Sequence, residues 1–359
     1  MKSQIENRID KLRLLLKEKD MDAVLVTKRE NYVYLSGFNG SSAHLIITQN
    51  DAFLVTDFRY VEQAAKQAPL YEIIEYKDSI LVTINNVIKT KGIDILGFEE
   101  DHVTCKSYRE FEEKLNVKEI KPLAGMIDNL RMKKDKGELE LIKKAVKIAD
   151  DAFSHILGYI KPGVKEIEVA AELEYFIKKQ GARGVSFDTI VASGYRSALP
   201  HGVASEKAIE QGDAVTMDFG AIYEDYCSDM TRTVFVGKPD EELSKIYNIV
   251  LTAQQNAVRG AKKGLTGKEI DSIARDLISK EGYGDCFGHG LGHGVGLEIH
   301  EEPRLSLKGS IIMDDGMVVT VEPGIYIPGL GGVRIEDMIV INGDNPLVLT
   351  GSSREMIII

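Results

Sequence analysis

The sequence predicts a two-domain protein in which a smaller α/β domain precedes an α+β domain, the latter an antiparallel sheet flanked by helices. Three observations predict this organisation. The chain has 359 residues, which is long for one typical domain. Its first third alternates short β-branched runs with helical patterns, whereas the remainder opens with a long amphipathic helix and continues as antiparallel strands interrupted by helices. We place the domains at residues 1–125 and 136–359, with a linker at 126–135.

In the first domain, strand and helix signals follow one another with turn residues between them. The predicted strands are 23–27, 44–48, 52–56 and 93–99, and the predicted helices are 60–68 and 79–91. The first 20 residues form an amphipathic pattern with charges throughout, which indicates a surface helix and not a signal peptide.

A long amphipathic helix opens the second domain at about Lys136, and its apolar residues recur at spacings of three and four. These residues are Leu139, Ile142, Ala145, Val146, Ala149, Phe153, Ile156 and Ile160. The sequence Lys161-Pro162-Gly163 ends this helix. Further helices are predicted at 167–180, 241–262 and 266–280, with antiparallel strand patterns between and after them.

Charge and cysteine content narrow the classes of partner. The chain carries 45 basic and 56 acidic residues, a net charge of −11, with no block of Lys or Arg. This balance argues against nucleic acid and against an anionic membrane as partners. Three cysteines at wide spacing indicate neither a disulfide framework nor a zinc knuckle. No apolar run is long enough to span a bilayer, so we expect a cytoplasmic protein.

Two aspartates lie on strand patterns joined by a tight connection, in the segment VTMDFGAIYEDYCSDMTRT. Asp218 shares one strand face with Thr216, and Asp229 shares a face with Thr231 and Thr233. A hairpin would bring the two carboxylates together, and they would repel each other unless a cation lay between them. The alternative is that each aspartate only flanks a turn, and from this pair alone both interpretations stay open.

Histidines cluster in two short glycine-rich segments. His201 lies in the sequence LPHG, and His289, His293 and His300 lie in GHGLGHGVGLEIH. Glycine lets backbone and substrate approach closely at an entropic cost, so loops of this kind tend to exist for function. The spacing of four between His289 and His293 resembles a helical metal pair, but the interspersed glycines disfavour a helix.

Two glutamates complete the group of chemically suggestive residues. Glu322 lies on a strand face with Val318 and Thr320, immediately before a Pro-Gly turn. Arg334 and Glu336 share one face of a later strand, where the arginine would keep the carboxylate ionised and oriented. A strand-capping glutamate and a surface ion pair are the alternatives. The occurrence of both glutamates together with the aspartates and histidines favours one shared site.

One imidazole and four carboxylates form a hard, oxygen-rich ligand set for metal ions. The five residues are Asp218, Asp229, His293, Glu322 and Glu336. Four carboxylates balance the charge of two divalent ions, so the sequence predicts a dinuclear site. The ligand types suit Mn²⁺, Fe²⁺, Co²⁺ or Zn²⁺, and Mn²⁺ is our first expectation. Two ions about 3.5–4 Å apart would activate water as a nucleophile and polarise a carbonyl.

These motifs, in this order, resemble the pita-bread metallopeptidases, which include methionine aminopeptidase, aminopeptidase P and prolidase. The resemblance extends over essentially the whole chain. It implies a pita-bread catalytic domain from about residue 135 to the end, preceded by the N-terminal domain that aminopeptidase P, prolidase and creatinase carry. It also implies a homodimer, with the N-terminal domain forming the dimer interface and narrowing the entrance to the cleft.

The resemblance implies how the five ligands share two metals. Asp218 and Asp229 would bind one ion, with Asp229 bridging or chelating. Glu336 would bridge to the second ion, which His293 and Glu322 complete. The acidic ligands would also give the free α-amine of a peptide an electrostatic anchor.

The resemblance also implies roles in catalysis and in substrate binding. Glu322 would carry a proton from the metal-bound water towards the leaving nitrogen. His201 would contact the scissile amide, and His300 would steady the tetrahedral oxyanion. Residues implied to line the substrate pocket or to support the ligands from behind are His289, Tyr326 and Arg334.

The implied reaction is removal of an N-terminal residue that precedes proline in short peptides. Proline forms a tertiary amide, so a peptidase that needs the amide N–H cannot act there. Aminopeptidase P, which takes longer peptides, is our first expectation, and prolidase, which takes only dipeptides, is the alternative. Prolidase-like sequences resemble EEPRLS, where Arg304 would hold the substrate carboxylate; a surface arginine is the other interpretation.

Three further alternatives are weaker. Methionine aminopeptidase is disfavoured because its usual bacterial forms lack the N-terminal domain, and creatinase because it lacks these metal ligands. A non-catalytic binding module on the same fold is the alternative from another functional class. Such relatives typically lose metal ligands or the amide-contacting histidines, whereas this chain retains both.

Overall fold

The structure is a computed structural model that describes residues 3–359. The chain divides into two units, Met1–Arg131 and Met132–Ile359. No helix among the described residues is long and apolar enough to cross a membrane. The predicted N-terminal helix is present from residue 4, and its predicted first two residues lie outside the described part of the chain.

The first unit alternates strands and helices, as the sequence predicts. Its strands are β1 (Ala23–Val26), β2 (His44–Thr48), β3 (Ala52–Thr56), β4 (Glu72–Glu75), β5 (Ile95–Phe98) and β6 (Glu119–Pro122). Its helices are α1 (Gln4–Glu18), α2 (Arg29–Ser36), α3 (Val61–Gln67), α4 (Ile80–Lys91), α5 (Cys105–Lys114) and α6 (Met126–Arg131). Helix α6 falls within the predicted linker and buries Met126 and Ile127.

The strands of this unit form one mixed sheet in the order β4-β3-β2-β1-β5-β6. Strand β1 is antiparallel to β2 and parallel to β5, and all of its residues are buried. A central strand covered on both faces has no need of polar residues, which explains its uninterrupted apolar sequence.

The second unit contains four long helices and several small antiparallel sheets among its described residues. The helices are α7 (Lys136–Ile156), α8 (Glu166–Lys179), α9 (Glu241–Gly260) and α10 (Gly267–Lys280). The first strands are β7 (Gly184–Val185), β8 (Ile190–Ser193), β9 (Ala214–Phe219), β10 (Ala221–Tyr223), β11 (Tyr226–Cys227) and β12 (Met230–Phe235). The later ones are β13 (Gly292–Gly294), β14 (Glu301–Leu305), β15 (Val318–Val321), β16 (Gly324–Ile327), β17 (Gly331–Arg334), β18 (Asp337–Val340) and β19 (Leu347–Val348).

Two of these sheets carry the predicted site. One has the strand order β12-β9-β8, and the other has the order β14-β13-β15-β18-β19. Helices α7 and α8 pack their apolar faces on the first sheet, where Phe153, Leu173 and Met217 share one buried cluster. Helices α9 and α10 contribute to a second cluster that includes Val319 and Ile339 of the other sheet. The helices thus cover the sheets and leave their polar strand ends to form the site.

Two local predictions differ from the structure. Helix α7 ends at Ile156, before the predicted stop, although Ile160 is still buried. The connection between the two aspartate strands is not tight, because the small strands β10 and β11 lie between β9 and β12. Their turn places Glu224 and Asp225 at positive φ, which reverses the chain sharply. Strands β9 and β12 nevertheless pair as predicted.

Candidate metal centre and cavity

The two aspartates meet because their strands are paired. Asp218 lies on β9, and Asp229 immediately precedes β12. In the antiparallel register Thr231 lies opposite Asp218, so Asp229 is two residues from that pair. Both aspartates line the same cavity.

His293 lies at the centre of strand β13. The glycine content of its segment suggests a loop instead. Its neighbours are glycines because the adjacent strands come too close for a side chain. A Cβ added at Gly292 would lie 2.0 Å from the carbonyl oxygen of Thr320, and one at Gly294 would lie 2.3 Å from that of Glu302. The glycines therefore allow His293 to sit between two neighbouring strands.

The two glutamates lie at the same end of one strand pair. In the register of β15 with β18, Val321 is opposite Asp337. Glu322 follows the first of these residues and Glu336 precedes the second. Both glutamates therefore emerge at the edge of the sheet that faces the aspartates, and both line the cavity.

Distances between the ligand atoms suit metal coordination. His293 Nε2 lies 3.6 Å from Asp229 Oδ2 and 3.4 Å from Glu322 Oε1. One ligand atom each of Asp229, His293 and Glu336 lie within 4.8 Å of one another. Two ligand atoms that each lie about 2.0–2.2 Å from a shared ion are separated from each other by distances similar to these His293 distances. The geometry therefore accommodates a divalent ion without rearrangement of the strands.

The tautomer of His293 is the one that a metal ligand requires. Its Nδ1 lies 3.0 Å from the carbonyl oxygen of Gly294, so Nδ1 carries the proton and donates it. The lone pair of Nε2 consequently points at the carboxylates. Burial lowers the pKa of His293 to about 3, which keeps the ring neutral near pH 7.

Two carboxylate oxygens at the site are buried without a hydrogen-bond donor among residues 3–359. They are Oδ1 of Asp218 and Oε1 of Glu336. The second oxygen of each is held, since Arg334 Nη2 donates to Asp218 Oδ2 at 2.7 Å and Thr231 Oγ1 donates to Glu336 Oε2 at 2.8 Å. A buried acceptor without a donor is costly. A divalent cation would satisfy both oxygens, so the residues present fit metal ions.

Electrostatics lead to the same conclusion. Burial, followed by repulsion from neighbouring carboxylates, raises the pKa of Asp229 and of Glu336 well above the ordinary values. Burial likewise raises the pKa of Glu322 to about 8. Carboxylates crowded in this way must either take up protons or share cations. Divalent ions would hold them in the ionised form that coordination needs.

Arg334 links the aspartate strand to the histidine segment. Besides binding Asp218, it donates from Nη1 to Tyr326 Oη at 2.9 Å. Tyr326 Oη lies 2.9 Å from His289 Nε2, and His289 Nδ1 lies 2.8 Å from the carbonyl oxygen of Gly290. Because Nδ1 must donate to that carbonyl, Nε2 accepts a hydrogen bond from the Tyr326 hydroxyl. This fixed chain makes Tyr326 and His289 supports for Arg334 and hence for Asp218.

Two threonines that the sequence analysis left without a role orient the ligands. Thr231 Oγ1 donates to Glu336 and accepts from Arg334 Nε at 3.0 Å. Thr320 Oγ1 donates to Glu322 Oε1 at 3.1 Å and accepts from the backbone N–H of His293 at 3.0 Å. In the sequence, strand alternation places each threonine on the same face as a predicted ligand. This shared face is the signal that could have revealed their contacts with the ligands.

A cavity of about 520 Å³ opens over the ligands. Its wall includes all five predicted ligands together with His201, His289, His300, Arg304 and Arg334, whereas Tyr326 lies behind it. The ring of His300 is 4.4 Å from that of His293, and burial lowers its pKa, so it is neutral near pH 7. Arg304 is exposed on β14, opposite His293 in the register. The rest of the wall is mostly apolar, with Phe187 and Ile299 among its residues, and it also includes Asp188 and Ser306.

The chain belongs to metallopeptidase family M24. The model of this family matches residues 140–343, and that of the creatinase/prolidase N-terminal domain matches residues 8–133. The fold is accordingly the pita-bread fold with a creatinase-like N-terminal domain, which confirms the predicted fold class. Family membership also makes the chain a hydrolase that uses divalent metal ions.

Relatives agree over nearly their full length. A Xaa-Pro dipeptidase of Pyrococcus furiosus is 45% identical over 98% of this chain and 100% of the relative. The structure of a Xaa-Pro dipeptidase from Bacillus anthracis matches with a TM-score of 0.97 and 50% identity, over 99% of this chain and 100% of that one. The structure of an X-Pro aminopeptidase from Thermotoga maritima matches with a TM-score of 0.91 and 40% identity, over 98% and 99% of the two chains.

Proposed function

We propose that this protein hydrolyses the peptide bond between an N-terminal residue and proline, using two divalent metal ions, with Mn²⁺ as the first candidate. The observation that carries the proposal is the convergence of four carboxylates and one correctly protonated histidine on one cavity. The buried, unpartnered oxygens of Asp218 and Glu336 support the binding of cations by this ligand set. The names of the Pyrococcus and Bacillus relatives support the proline specificity.

The ligands would divide between the two ions as the family resemblance implies, with Asp218 and Asp229 holding one ion and His293 and Glu322 holding the other. When bound, the ions lower the pKa of water and polarise the scissile carbonyl. Glu336, which is held by Thr231, would be shared between the two groups. Arg334 orients Asp218 by donating to its Oδ2.

Glu322 is the group that we assign to proton transfer. Its Oε1 is held by Thr320, which leaves Oε2 as the atom that exchanges a proton with water and with the leaving nitrogen. A carboxyl whose pKa is raised by burial is suited to take a proton at neutral pH and to release it again. Bound metal ions would lower that pKa. Glu322 would then be ionised in the loaded enzyme and free to accept a proton from water.

Two histidines face the substrate from the cavity wall. His300 is neutral near pH 7 and keeps an N–H that can donate to the oxyanion. His201 lies across the cavity, where its ring would contact the scissile amide. His289 and Tyr326 are bonded to each other, so we assign them to the support of Arg334.

The position of Arg304 supports dipeptides, and not longer peptides, as the preferred substrates. Its guanidinium is part of the cavity wall, and a free carboxylate directly behind proline would provide its partner. Cleavage of longer peptides is the second candidate, which the name of the Thermotoga relative supports.

The decisive experiment compares Xaa-Pro, Xaa-Pro-amide and Xaa-Pro-Xaa with the metal-free protein and after addition of Mn²⁺, Co²⁺ or Zn²⁺. We expect metal-dependent cleavage that is fastest for Xaa-Pro. The variant Arg304→Gln should lower kcat/KM for Xaa-Pro by about 10–100-fold and leave the amide unaffected. Lys308→Gln, which changes an exposed cation outside the cavity wall, is the matched control.

Faster cleavage of Xaa-Pro-Xaa than of Xaa-Pro would assign the protein to the aminopeptidases. If none of the three substrates is cleaved in a metal-dependent way, the proposed proline specificity is wrong. Membership of the metallopeptidase family would then be all that is known of the activity.

A further inference from the structure

His201 is carried by a long irregular segment, residues 193–205, which we call the His201 loop. The loop begins at the end of β8 with a 3₁₀ turn at Gly194–Ala198. Its later residues Pro200, His201 and Val203 line the cavity. Within residues 3–359 no hydrogen bond is formed by the His201 ring, which is exposed. The position of that ring therefore depends on the backbone that carries it.

Glu166 lies under this loop at the first residue of helix α8, and none of its surface is exposed. Its Oε1 accepts from the backbone N–H of Ser193 at 2.7 Å and from the Ser193 hydroxyl at 2.8 Å. Its Oε2 accepts from the backbone N–H of Ser205 at 3.1 Å and from the Ser205 hydroxyl at 2.6 Å. One buried carboxylate thus holds both ends of the His201 loop.

Arg196 extends the reach of this carboxylate into the loop. Its Nη1 donates to Glu166 Oε2, and its Nη2 donates to the carbonyl oxygen of Val203 at 2.9 Å. A planar guanidinium that bridges two acceptors fixes their separation. The ion pair therefore ties Glu166 to a point two residues from His201.

Other contacts hold the middle of the loop independently of Glu166. Ser197 Oγ accepts from the backbone N–H of Gly332 at 2.8 Å, and Arg334 Nη1 donates to the carbonyl oxygen of Pro200 at 3.3 Å. Removal of the Glu166 charge should consequently shift the ends of the loop without releasing the loop from the cavity.

We propose that Glu166 is a positioning residue that sets the place of His201 over the metal centre. The proposal rests on the proposed function in one respect, since it takes His201 as a group that contacts substrate. A carboxylate with five donors spread over both ends of a loop is more than the capping of α8 requires, because a helix start needs only acceptors for its own N–H groups. All five donors belong to the His201 loop, and none of them is an N–H group of α8.

The first test is hydrogen–deuterium exchange on the metal-loaded protein and on Glu166→Gln. Glutamine keeps the size of the side chain but replaces one acceptor oxygen by an amide NH₂ group, which cannot accept from N–H or O–H donors. We expect exchange at the amides of Ser193 and Ser205 to rise by about tenfold. Exchange in β13 and β15 should stay unchanged. This measurement needs no substrate. It therefore decides whether Glu166 holds the ends of the His201 loop even if the proposed proline specificity is wrong.

The second test separates positioning from general stability. Glu166→Gln should lower kcat for Xaa-Pro by about 10–100-fold at unchanged metal content, because small displacements of a contacting group are costly. In the His201→Ala background the same change should have no further effect on kcat. The matched control is Asp150→Asn, which removes a carboxylate that accepts from the backbone N–H groups of Gly351 and Ser352 and does not line the cavity. That variant should retain kcat.

Unchanged exchange in the His201 loop would overturn the proposal. So would multiplicative losses in the double variant, because they would show that Glu166 acts through the fold at large and not through His201.

Discussion

At the scale of single residues, two threonine hydroxyls hold the carboxylates of two predicted metal ligands in fixed orientations. Thr231 fixes one oxygen of Glu336, and Thr320 joins Glu322 to the backbone of His293. Each hydroxyl donates to a ligand and accepts from a group that is itself part of the site. Such partners orient ligands before the ion arrives and so reduce the cost of binding it.

Thr231→Val should weaken metal binding by about 10–100-fold, since it removes the donor to Glu336 while keeping the size of the side chain. Competition of the protein with a chelator of known affinity measures the change. Thr216→Val is the matched control, because the Thr216 hydroxyl contacts the Thr233 hydroxyl and the carbonyl oxygen of Gly332 and no predicted ligand. Equal affinities of the two variants would contradict the role given to Thr231.

The crowded carboxylates predict an unusual pH dependence for the metal-free protein. Burial raises the pKa of Glu322 from 4.5 to about 8, so between these values the folded state binds more protons than the unfolded state. The stabilisation is complete below about pH 4.5 and is lost as the pH rises through about 8. The free energy of unfolding of the metal-free protein should therefore fall from pH 6 to pH 8.5.

Urea titrations at both pH values measure this difference, which should shrink when metal is added or when Glu322 is replaced by Gln. A metal-free protein that is more stable at pH 8.5 would show that the carboxylates are not desolvated as the structure indicates.

At the scale of secondary-structure elements, helix α8 performs two tasks. Its inner face packs on the sheet that carries Asp218, and its first residue holds the His201 loop. Both tasks follow from the position of the helix beside β8, which leads directly into that loop. Helix α8 therefore connects the hydrophobic core to the site. A substitution on its buried face should lower the free energy of unfolding.

Leu173→Ala should destabilise the second unit by about 2–5 kcal/mol, because Leu173 is fully buried in the cluster between α7, α8 and the sheet. Tyr175→Ala on the same helix, where the side chain is 59% exposed, should change stability by less than about 0.5 kcal/mol. Chemical denaturation of the metal-loaded protein distinguishes the two. A small effect of Leu173→Ala would mean that the cluster is loosely packed.

At the scale of the whole molecule, every predicted ligand lies in the unit Met132–Ile359. Ions that bind only the folded state stabilise the unit that holds them. Removal of metal with a chelator should therefore increase hydrogen exchange in β9, β13 and β15. Exchange in β1 and β2 of the other unit should not change. An equal increase in both units would show that the first unit depends on the metal centre for its own stability.

Much of the fold could be predicted because the signals are local. The apolar runs of β1 to β3 and the spacing of apolar residues in α7 and α8 are properties of neighbouring residues. The boundaries were less exact where local signals are weak, as at the end of α7. The β10–β11 hairpin was missed because its strands are only three and two residues long.

The sequence by itself determined the candidate chemistry of this protein: five predicted metal ligands, the histidines beside them and the order of their motifs. Residue types and strand periodicity carry that information. Only the tertiary structure decided which oxygens stay without donors, which nitrogen of His293 faces the carboxylates, and that Glu166 lies under the His201 loop. These depend on hydrogen bonds between residues far apart in the chain, whose partners are chosen by packing and not by local pattern.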